Sequence, residues 1–212
     1  MSDTIGHKEV INMISAAAAK ISENHVMLSK LDSATGDGDH GTTMLRSMKA
    51  VQETVKSNLN ESTKDLLYKI GWGIMSADGG STGPLLGSFF MGMSEGTSEL
   101  TEFDGPAVAQ MIISGAEKMH KQSRAQVGDK TMMDALLPAA DALKTAADKS
   151  AGIQEILRQA AKASTDGADA TVNMKAKFGR ARNLGGRVLG HKDPGAVSVS
   201  LMFQGFYQSF AV

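Results

Sequence analysis

The sequence predicts an all-α protein, and residue usage and apolar spacing are the two observations that predict it. Aromatic residues make up only 5% of the 212 residues, whereas there are 14 Met. Few stretches alternate β-branched and polar residues, so the composition favours helix over sheet. Apolar residues recur at helical spacing in eight segments that are separated by glycine-rich or polar turns. A single domain over residues 1–212 is the simplest organisation for this length.

The first four segments each place apolar residues on one helical face. They are 7–29 with Val10, Ile14 and Ile21, 41–58 with Met44, Met48 and Val55, 63–77 with Leu66, Ile70 and Ile74, and 84–95 with Leu85, Phe89 and Met93.

The last four segments follow the same spacing. The strand-like alternation over 195–202 is ambiguous, but Asp193-Pro194-Gly195 before it is a typical helix start, so we predict a helix there. The segments are 106–121 with Val108, Met111 and Ile112, 131–148 with Met132, Leu136 and Leu143, 152–175 with Ile153, Ile156 and Leu157, and 195–210 with Val197, Leu201 and Phe206.

Charge and residue usage exclude several classes of function. The chain has 22 basic and 23 acidic residues, so no strong field attracts nucleic acid or a membrane surface. There is no cysteine, which excludes disulfides, thiolate metal sites and cysteine nucleophiles. The apolar stretches are too short for a bilayer, and the first residues do not resemble a signal peptide. We therefore expect a cytoplasmic protein.

The acidic stretch LDSATGDGDHGTT, residues 31–43, carries the most chemical information. The carboxylates of Asp32, Asp37 and Asp39 fall within eight positions and would repel one another unless a cation neutralised them. Mg²⁺ prefers such oxygens and completes its shell with water and phosphate. The stretch lacks the lysine of a P-loop, the preceding strand of a dinucleotide fold and the last glutamate of an EF-hand. A Mg²⁺-mediated phosphate site and a ligand-free acidic turn both remain open.

Three further loops precede predicted helices and carry groups suited to a nucleotide. Ser81 or Thr82 can cap a helix whose free N–H groups would then face a phosphate. Met132 can pack against an adenine ring, and Arg180 suits the charge of a phosphoryl group. Each loop taken singly is equally typical of a structural turn, a core methionine or a solvated basic segment. Together the four loops favour a nucleotide site.

The four loops, in this order, resemble the nucleotide-binding L subunit of dihydroxyacetone kinase. The matching stretches are LDSATGDGDHGTTM, GGSTGPLLGSFF, GDKTMMDAL and NLGGRVLGHKDPGA, and the resemblance extends over residues 7–210. It implies an eight-helix antiparallel up-and-down barrel with the nucleotide site at one end.

The resemblance also implies which residues form the site. Asp32, Asp37 and Asp39 correspond to the aspartates that hold two Mg²⁺ ions in this family, and Arg180 would neutralise charge during catalysis. The implied ADP or ATP contacts are His40, Gly41, Thr42, Thr43, Ser81, Thr82, Met132, Arg180, Asp193, Pro194 and Gly195.

The family places the ketose on a separate K subunit. The resemblance therefore implies a phosphotransferase subunit that passes a phosphoryl group from bound ATP to a short ketose on that partner. The length of the chain resembles the phosphotransferase-linked type, in which a phosphohistidine on a third subunit recharges bound ADP. No nucleic-acid or membrane partner is expected, and a homodimer is an arrangement that the sequence leaves open.

Departures from the family pattern leave the ketose undecided. Thr43 stands where Asn is familiar, and Ser123 stands where Gly is frequent. Another short ketose, such as a tetrulose, is therefore an alternative substrate. Two other functions also remain open: a nucleotide-dependent interaction protein that acts on a transcription regulator, and the nucleotide domain of a fatty-acid-type kinase.

Overall fold

The computed structural model describes residues 4–77 and 80–210, and this part of the chain is almost entirely helical. A two-residue strand β1 (Ile5–Gly6) pairs antiparallel with β2 (Glu102–Phe103), and 3₁₀ segments cover Thr171–Asn173 and Arg180–Val188. The all-α prediction is confirmed. The described α-helices are α1 (His7–Glu23), α2 (His25–Thr35), α3 (His40–Ser57), α4 (Thr63–Ser76), α5 (Thr82–Gly96), α6 (Gly105–Ser123), α7 (Met133–Ala147), α8 (Ile153–Ala170) and α9 (Pro194–Gln208).

Eight of these helices close into a ring. Helix α1 packs on α3, each helix from α3 to α8 packs on the next one, and α9 packs between α8 and α1. Short connections make neighbouring helices antiparallel, so the ring is the predicted up-and-down barrel. Helix α2 packs on α3 and α9 at one end. None of the described helices has the length and apolar character needed to cross a membrane.

The apolar faces predicted from spacing fill the inside of the barrel. Phe89, Phe203 and Phe206 are completely buried there, and the rings of Phe203 and Phe206 meet edge to face at 5.7 Å. Burial of a large apolar side chain contributes about 1.5–3 kcal/mol. The core therefore accounts for closure of the ring, while the loops at its ends remain available for binding.

The first predicted helical segment, 7–29, is two helices instead of one. The chain leaves α1 at Asn24, whose Nδ2 donates to the carbonyl of Lys20 at 2.8 Å. Such side-chain bonds compete with the helical ladder, which explains the break. The predicted segment 152–175 similarly leaves α-helix after Ala170 and ends in a 3₁₀ turn. The ambiguous segment at 195–202 is helical, as predicted.

The start of α3 lies unusually close to α2. A Cβ on Gly41 would lie 1.8 Å from the carbonyl oxygen of His25 and 2.6 Å from Ser29 Oγ, so only glycine fits this position. The close approach brings the end of α2, which carries Asp32, beside the start of α3. Because helix directions alternate, the starts of α5, α7 and α9 lie at the same end of the barrel.

Candidate functional site

A cavity of about 720 Å³ opens at this end of the barrel. Small-molecule sites commonly occupy roughly 300–1,000 Å³, so the cavity can hold a mononucleotide. All four loops that the sequence singled out contribute to its wall. The predicted site residues in the wall are Asp32, Asp37, Asp39, His40, Thr43, Ser81, Thr82, Met132, Arg180, Asp193, Pro194 and Gly195.

Two predicted nucleotide contacts lie outside this wall. Gly41 is buried against α2, and Thr42 is exposed on the first turn of α3. Ser81 occupies the N-cap position of α5 but its side chain forms no capping hydrogen bond, so the capping expected from the sequence does not occur there. The beginning of that predicted loop, Asp78-Gly79, lies outside the described residues.

The carboxylates of Asp32, Asp37 and Asp39 converge at the cavity wall. One oxygen of each lies within 4.8 Å of the other two. Gly38, with a φ of +81°, provides the sharp turn between Asp37 and Asp39. Asp32 is also oriented, because its Oδ2 accepts the N–H of His40 at 3.1 Å, at the positive end of α3. This close set of oxygen ligands fits a small divalent cation such as Mg²⁺.

Arg180 lies across the same acidic group. Its guanidinium pairs with Asp37 and approaches Asp39 at 3.9 Å, although 66% of the side chain is exposed. Exposed ion pairs contribute only about 0–1 kcal/mol. A divalent cation can therefore displace the guanidinium from the carboxylates, and the freed group remains beside the cavity, where it can bind phosphate.

His40 links the start of α3 to α9. The hydroxyl of Ser198 donates to the carbonyl of Pro194 at 3.0 Å, which leaves its oxygen to accept a proton from His40 Nε2 at 2.7 Å. Burial lowers the pKa of His40, although the nearby charge of Asp32 opposes this effect. The hydrogen bond between His40 and Ser198 therefore joins the start of α3 to α9 at the cavity.

Asp193 caps α9 where that helix meets the cavity. Its Oδ2 accepts the N–H of Ala196 at 2.7 Å, and its own N–H donates to Thr171 Oγ1 at 2.9 Å. Part of the residue reaches the cavity, but the surrounding protein desolvates the carboxyl. This burial raises the pKa of Asp193 to about 7, against the Ala196 hydrogen bond and with added repulsion from Asp134. Carboxyls with such raised pKa values are typical of functional sites.

An apolar part of the wall is formed by Pro84, Leu85, Met132 and Phe178. A Cβ on Gly195 would lie 3.3 Å from the terminal methyl of Met132, so glycine at this position makes room for the methionine. Phe178 is 43% exposed at the edge of the cavity. Thioether and aromatic surfaces both pack well against a flat base.

Sequence reasoning missed several residues of the wall, among them Lys130 and Phe178. Lys130 follows Gly128-Asp129 in a polar turn and would be expected in solvent, yet it is only 2% exposed. Phe178 is one of only seven phenylalanines and stands in a polar stretch just before Gly179, which is a signal that could have identified it. No comparable signal existed for Lys130, because its burial depends on distant segments.

A comparison with protein families agrees with the geometry of the cavity. The family model of the DAK2 domain matches residues 34–208, which is most of the chain. The chain belongs to the DAK2 domain family. The resemblance inferred from the four loops is thereby confirmed.

Similar proteins with a DAK2 domain include curated kinase subunits. The ADP-binding subunit DhaL of the PEP-dependent dihydroxyacetone kinase of Escherichia coli (strain K12) is 30% identical over 95% of this chain and 96% of its own length. The ADP-binding subunit DhaL of PEP-dependent dihydroxyacetone kinase 2 of Listeria innocua is 38% identical over 85% of this chain and 84% of its own length. These relatives are kinase subunits, in agreement with the predicted phosphotransferase class.

A solved structure with the same fold contains a nucleotide analogue. The dihydroxyacetone kinase from C. freundii in complex with AMP-PNP and Mg²⁺ matches with a TM-score of 0.70 and 25% identity over 94% of this chain. This chain spans about one third of that longer kinase, since the match covers 33% of it.

Proposed function

We propose that this chain is the ADP- and ATP-binding subunit of a dihydroxyacetone-type kinase. In this proposal it transfers a phosphoryl group from bound ATP to a short ketose that is held on a separate K subunit. The observation that carries the proposal is the convergence of Asp32, Asp37 and Asp39 at the wall of a cavity of mononucleotide size. The ADP-binding relative from E. coli and the AMP-PNP complex from C. freundii support it.

The three aspartates would hold Mg²⁺, and two ions are proposed because the family resemblance implies two. Bound Mg²⁺ would neutralise phosphate charge. The contribution of the protein is preorganisation, because Asp32 is already oriented by the N–H of His40. Asp37 and Asp39 are held by Arg180 until a cation replaces it.

The phosphates are proposed to lie at the helix starts that surround the cavity. In α3 the N–H of Thr43 makes a helical hydrogen bond to the Asp39 carbonyl at 2.9 Å. The N–H groups of Gly41 and Thr42 come before that bond and can point to an anion, although their side chains do not line the cavity. This placement makes Gly41 and Thr42 backbone contacts, while Ser81 and Thr82 can contribute from the start of α5.

Arg180 is proposed as the catalytic residue. Its guanidinium already reaches the carboxylates that would carry the metal, so a short displacement brings it to a phosphate in the cavity. There it can stabilise the charge that develops on the transferred phosphoryl group. The base would occupy the apolar wall beside Met132, and Asp193, Pro194 and Gly195 would add contacts at the start of α9.

The donor is proposed to be a phosphohistidine on a subunit of the phosphotransferase system, which would recharge ADP without its release. The match to nearly the whole length of DhaL from a PEP-dependent kinase supports this assignment over free ATP. The ketose must reach the nucleotide from outside, since the cavity opens at the barrel end. The K subunit would therefore dock over that opening.

The deciding experiment is to denature the purified protein and quantify the nucleotide and magnesium that it releases, before and after washing with a chelator. We expect near-stoichiometric ADP together with Mg²⁺, and loss of both after chelation. If neither co-purifies, ATP and ADP are titrated with Mg²⁺. Ready exchange would replace the phosphoprotein donor by free ATP, and the absence of any binding would overturn the nucleotide site.

The acceptor is tested by reconstitution with a K subunit. Phosphorylation of dihydroxyacetone and of a tetrulose would be compared in the same assay. Transfer to either sugar supports the proposal and identifies the ketose. Nucleotide binding without transfer to any short ketose would instead favour the regulatory or fatty-acid-type alternative.

A further inference from the structure

We propose that Lys130 is a positioning residue that holds the start of α9 in the geometry that the nucleotide requires. Its ammonium joins the turn before α7 to the end of α8 and to the segment 191–195. The inference rests on the proposed function, since that segment forms part of the same cavity.

The contacts of Lys130 span three separate parts of the chain. Its Nζ donates to the carbonyl oxygens of Thr171 and His191, both at 2.5 Å. Thr171 belongs to the 3₁₀ turn after α8, and His191 lies just before α9. Because a buried ammonium needs hydrogen-bond acceptors, these carbonyls fix where the side chain ends. The same contacts fix the two carbonyls relative to the turn that carries Lys130.

The backbone conformation at Lys130 is unusual for a residue with a side chain. Its φ is +58°, in the left-handed region that glycine adopts more easily than lysine. The neighbouring turn residue Gly128 also has positive φ, so this turn uses the left-handed region repeatedly. A lysine in this conformation turns its side chain inward, where only 2% of the residue remains exposed.

Two acidic side chains lie near the Lys130 ammonium. Burial lowers the pKa of Lys130, and the nearby charges of Asp193 and Asp134 oppose this shift only in part. Lys130 therefore lies among acidic groups but makes its hydrogen bonds to backbone carbonyls. Its charge offsets the two carboxylates, and its geometry positions the chain.

Besides the exposed pair of Lys192 with Asp169, backbone N–H groups also join the end of α8 to the segment before α9. The N–H of Asp193 donates to Thr171 Oγ1 at 2.9 Å, and the N–H of Gly190 donates to the carbonyl of Val172 at 2.9 Å. Lys130 adds the third element, the turn that continues into Thr131 and Met132 in the cavity wall. Loss of the ammonium would release this turn from the segment that carries Pro194 and Gly195.

The test uses variants that separate the ammonium from the backbone conformation. Lys130→Met removes the ammonium at similar size, Lys130→Gly removes it and relaxes the positive φ, and Lys130→Arg keeps a cation. The control is Lys192→Met, which removes the same charge within the segment 191–195 but affects only an exposed pair with Asp169 at 2.6 Å. The dissociation constant of Mg²⁺–ADP, the melting temperature and amide hydrogen exchange over 189–196 would be measured for each protein.

We expect Lys130→Met and Lys130→Gly to weaken Mg²⁺–ADP binding by about 10- to 100-fold, because the carbonyls of Thr171 and His191 lose their shared donor. Exchange over 189–196 should become faster in both proteins without nucleotide. Lys130→Arg should bind more tightly than Lys130→Met, and Lys192→Met should stay within about twofold of the wild type.

Lys130→Gly carries the test if Lys130→Met fails to fold, because glycine suits the local backbone. Wild-type affinity in Lys130→Gly would overturn the inference, as would a fall in melting temperature with unchanged affinity. If the wild type binds Mg²⁺–ADP and the variants match it, only the role of Lys130 is wrong. If the wild type itself does not bind, the proposed function fails and the inference fails with it.

Discussion

Two groups of three aspartates lie at the cavity end of the barrel, and the protein supplies hydrogen-bond donors to their carboxylates in different ways. The first group is Asp32, Asp37 and Asp39, in which a backbone N–H reaches Asp32 and an arginine pairs with the other two. The Asp37 and Asp39 side chains are 44% and 62% exposed. These carboxylates converge with few internal donors, so they retain the capacity to bind a cation.

The second group is Asp129, Asp134 and Asp193, which the chain satisfies internally. Asp134 accepts the N–H groups of Gly128 at 2.6 Å and Thr131 at 2.7 Å. Asp129 accepts the N–H of Gln126 at 2.8 Å and pairs with Lys177, and Asp193 accepts the N–H of Ala196. The two groups contain the same residue type and differ in how many donors of the chain reach their carboxylates.

The largest expected effect tests the first group. Asp37→Asn and Asp39→Asn should each weaken Mg²⁺-dependent ADP binding by at least about 100-fold, because a ligand contributes more than the outer-shell groups whose loss costs 10–100-fold. Unfolding without ligand should change little, or stability should rise, since repulsion between carboxylates decreases. Isothermal titration and thermal melts measure both quantities. Asp166→Asn on the exposed face of α8 is the control, and wild-type affinity in either site variant would refute the metal assignment.

A substitution in the second group should instead lower the stability of the ligand-free protein. Asp134→Ala leaves two partly buried N–H groups without their acceptor and should destabilise the ligand-free protein by about 2 kcal/mol. Urea unfolding measures this difference. Asp141→Ala, at an exposed position on the same helix, should change stability by no more than about 0.5 kcal/mol. Equal effects of the two substitutions would show that the internal hydrogen bonds of Asp134 contribute little.

The pH dependence of protein stability tests Asp193 of the second group separately. Its pKa is raised from 3.8 to about 7 in the folded protein, so its contribution to stability is present below about pH 4 and is lost as the pH rises through 7. Asn can still accept the N–H of Ala196 but cannot ionise. Between pH 4 and 8 we expect the wild type to lose about 2 kcal/mol more stability than Asp193→Asn, after allowance for partial exposure. Parallel pH–stability curves from urea unfolding would contradict this.

The smallest expected change in stability concerns two buried serine hydroxyls. Among the described residues, Ser164 Oγ is buried without a hydrogen-bond partner, whereas Ser198 Oγ bonds both Pro194 and His40. Ser164→Ala should be neutral or stabilising by up to about 1 kcal/mol, and Ser198→Ala should cost about 1 kcal/mol. Urea unfolding of the two variants side by side provides the measurement. A larger loss for Ser164→Ala would reverse the interpretation.

Local signals made the helices and the acidic loop predictable. Apolar spacing identifies a buried face wherever it occurs, and it located the helical segments apart from the break at Asn24. That break was missed because the apolar pattern continues through it, while the deciding bond from Asn24 to Lys20 is a detail of side-chain geometry. The expected cap at Ser81 or Thr82 failed for a similar reason: serine suits the N-cap position, but Ser81 has a helical backbone, with φ −78° and ψ −17°, where a capping residue is usually extended.

Within the site, the spatial closeness of residues could be predicted where they are also close in sequence. The sequence by itself determined that Asp32, Asp37 and Asp39 would be close, because they lie within eight positions and Gly38 permits the turn between them. Residue identity was sufficient there, since short-range chain geometry limits where the carboxylates can go.

Only the tertiary structure decided which distant groups satisfy or surround those residues. Lys130 meets the carbonyl of His191, 61 residues away, and the ring closes when α9 packs on α1. The raised pKa of Asp193 likewise arises from burial by segments far apart in sequence. Burial and hydrogen-bond donors are properties of the packed chain, so the same residue type stays available to a cation in one loop and is a structural anchor in another.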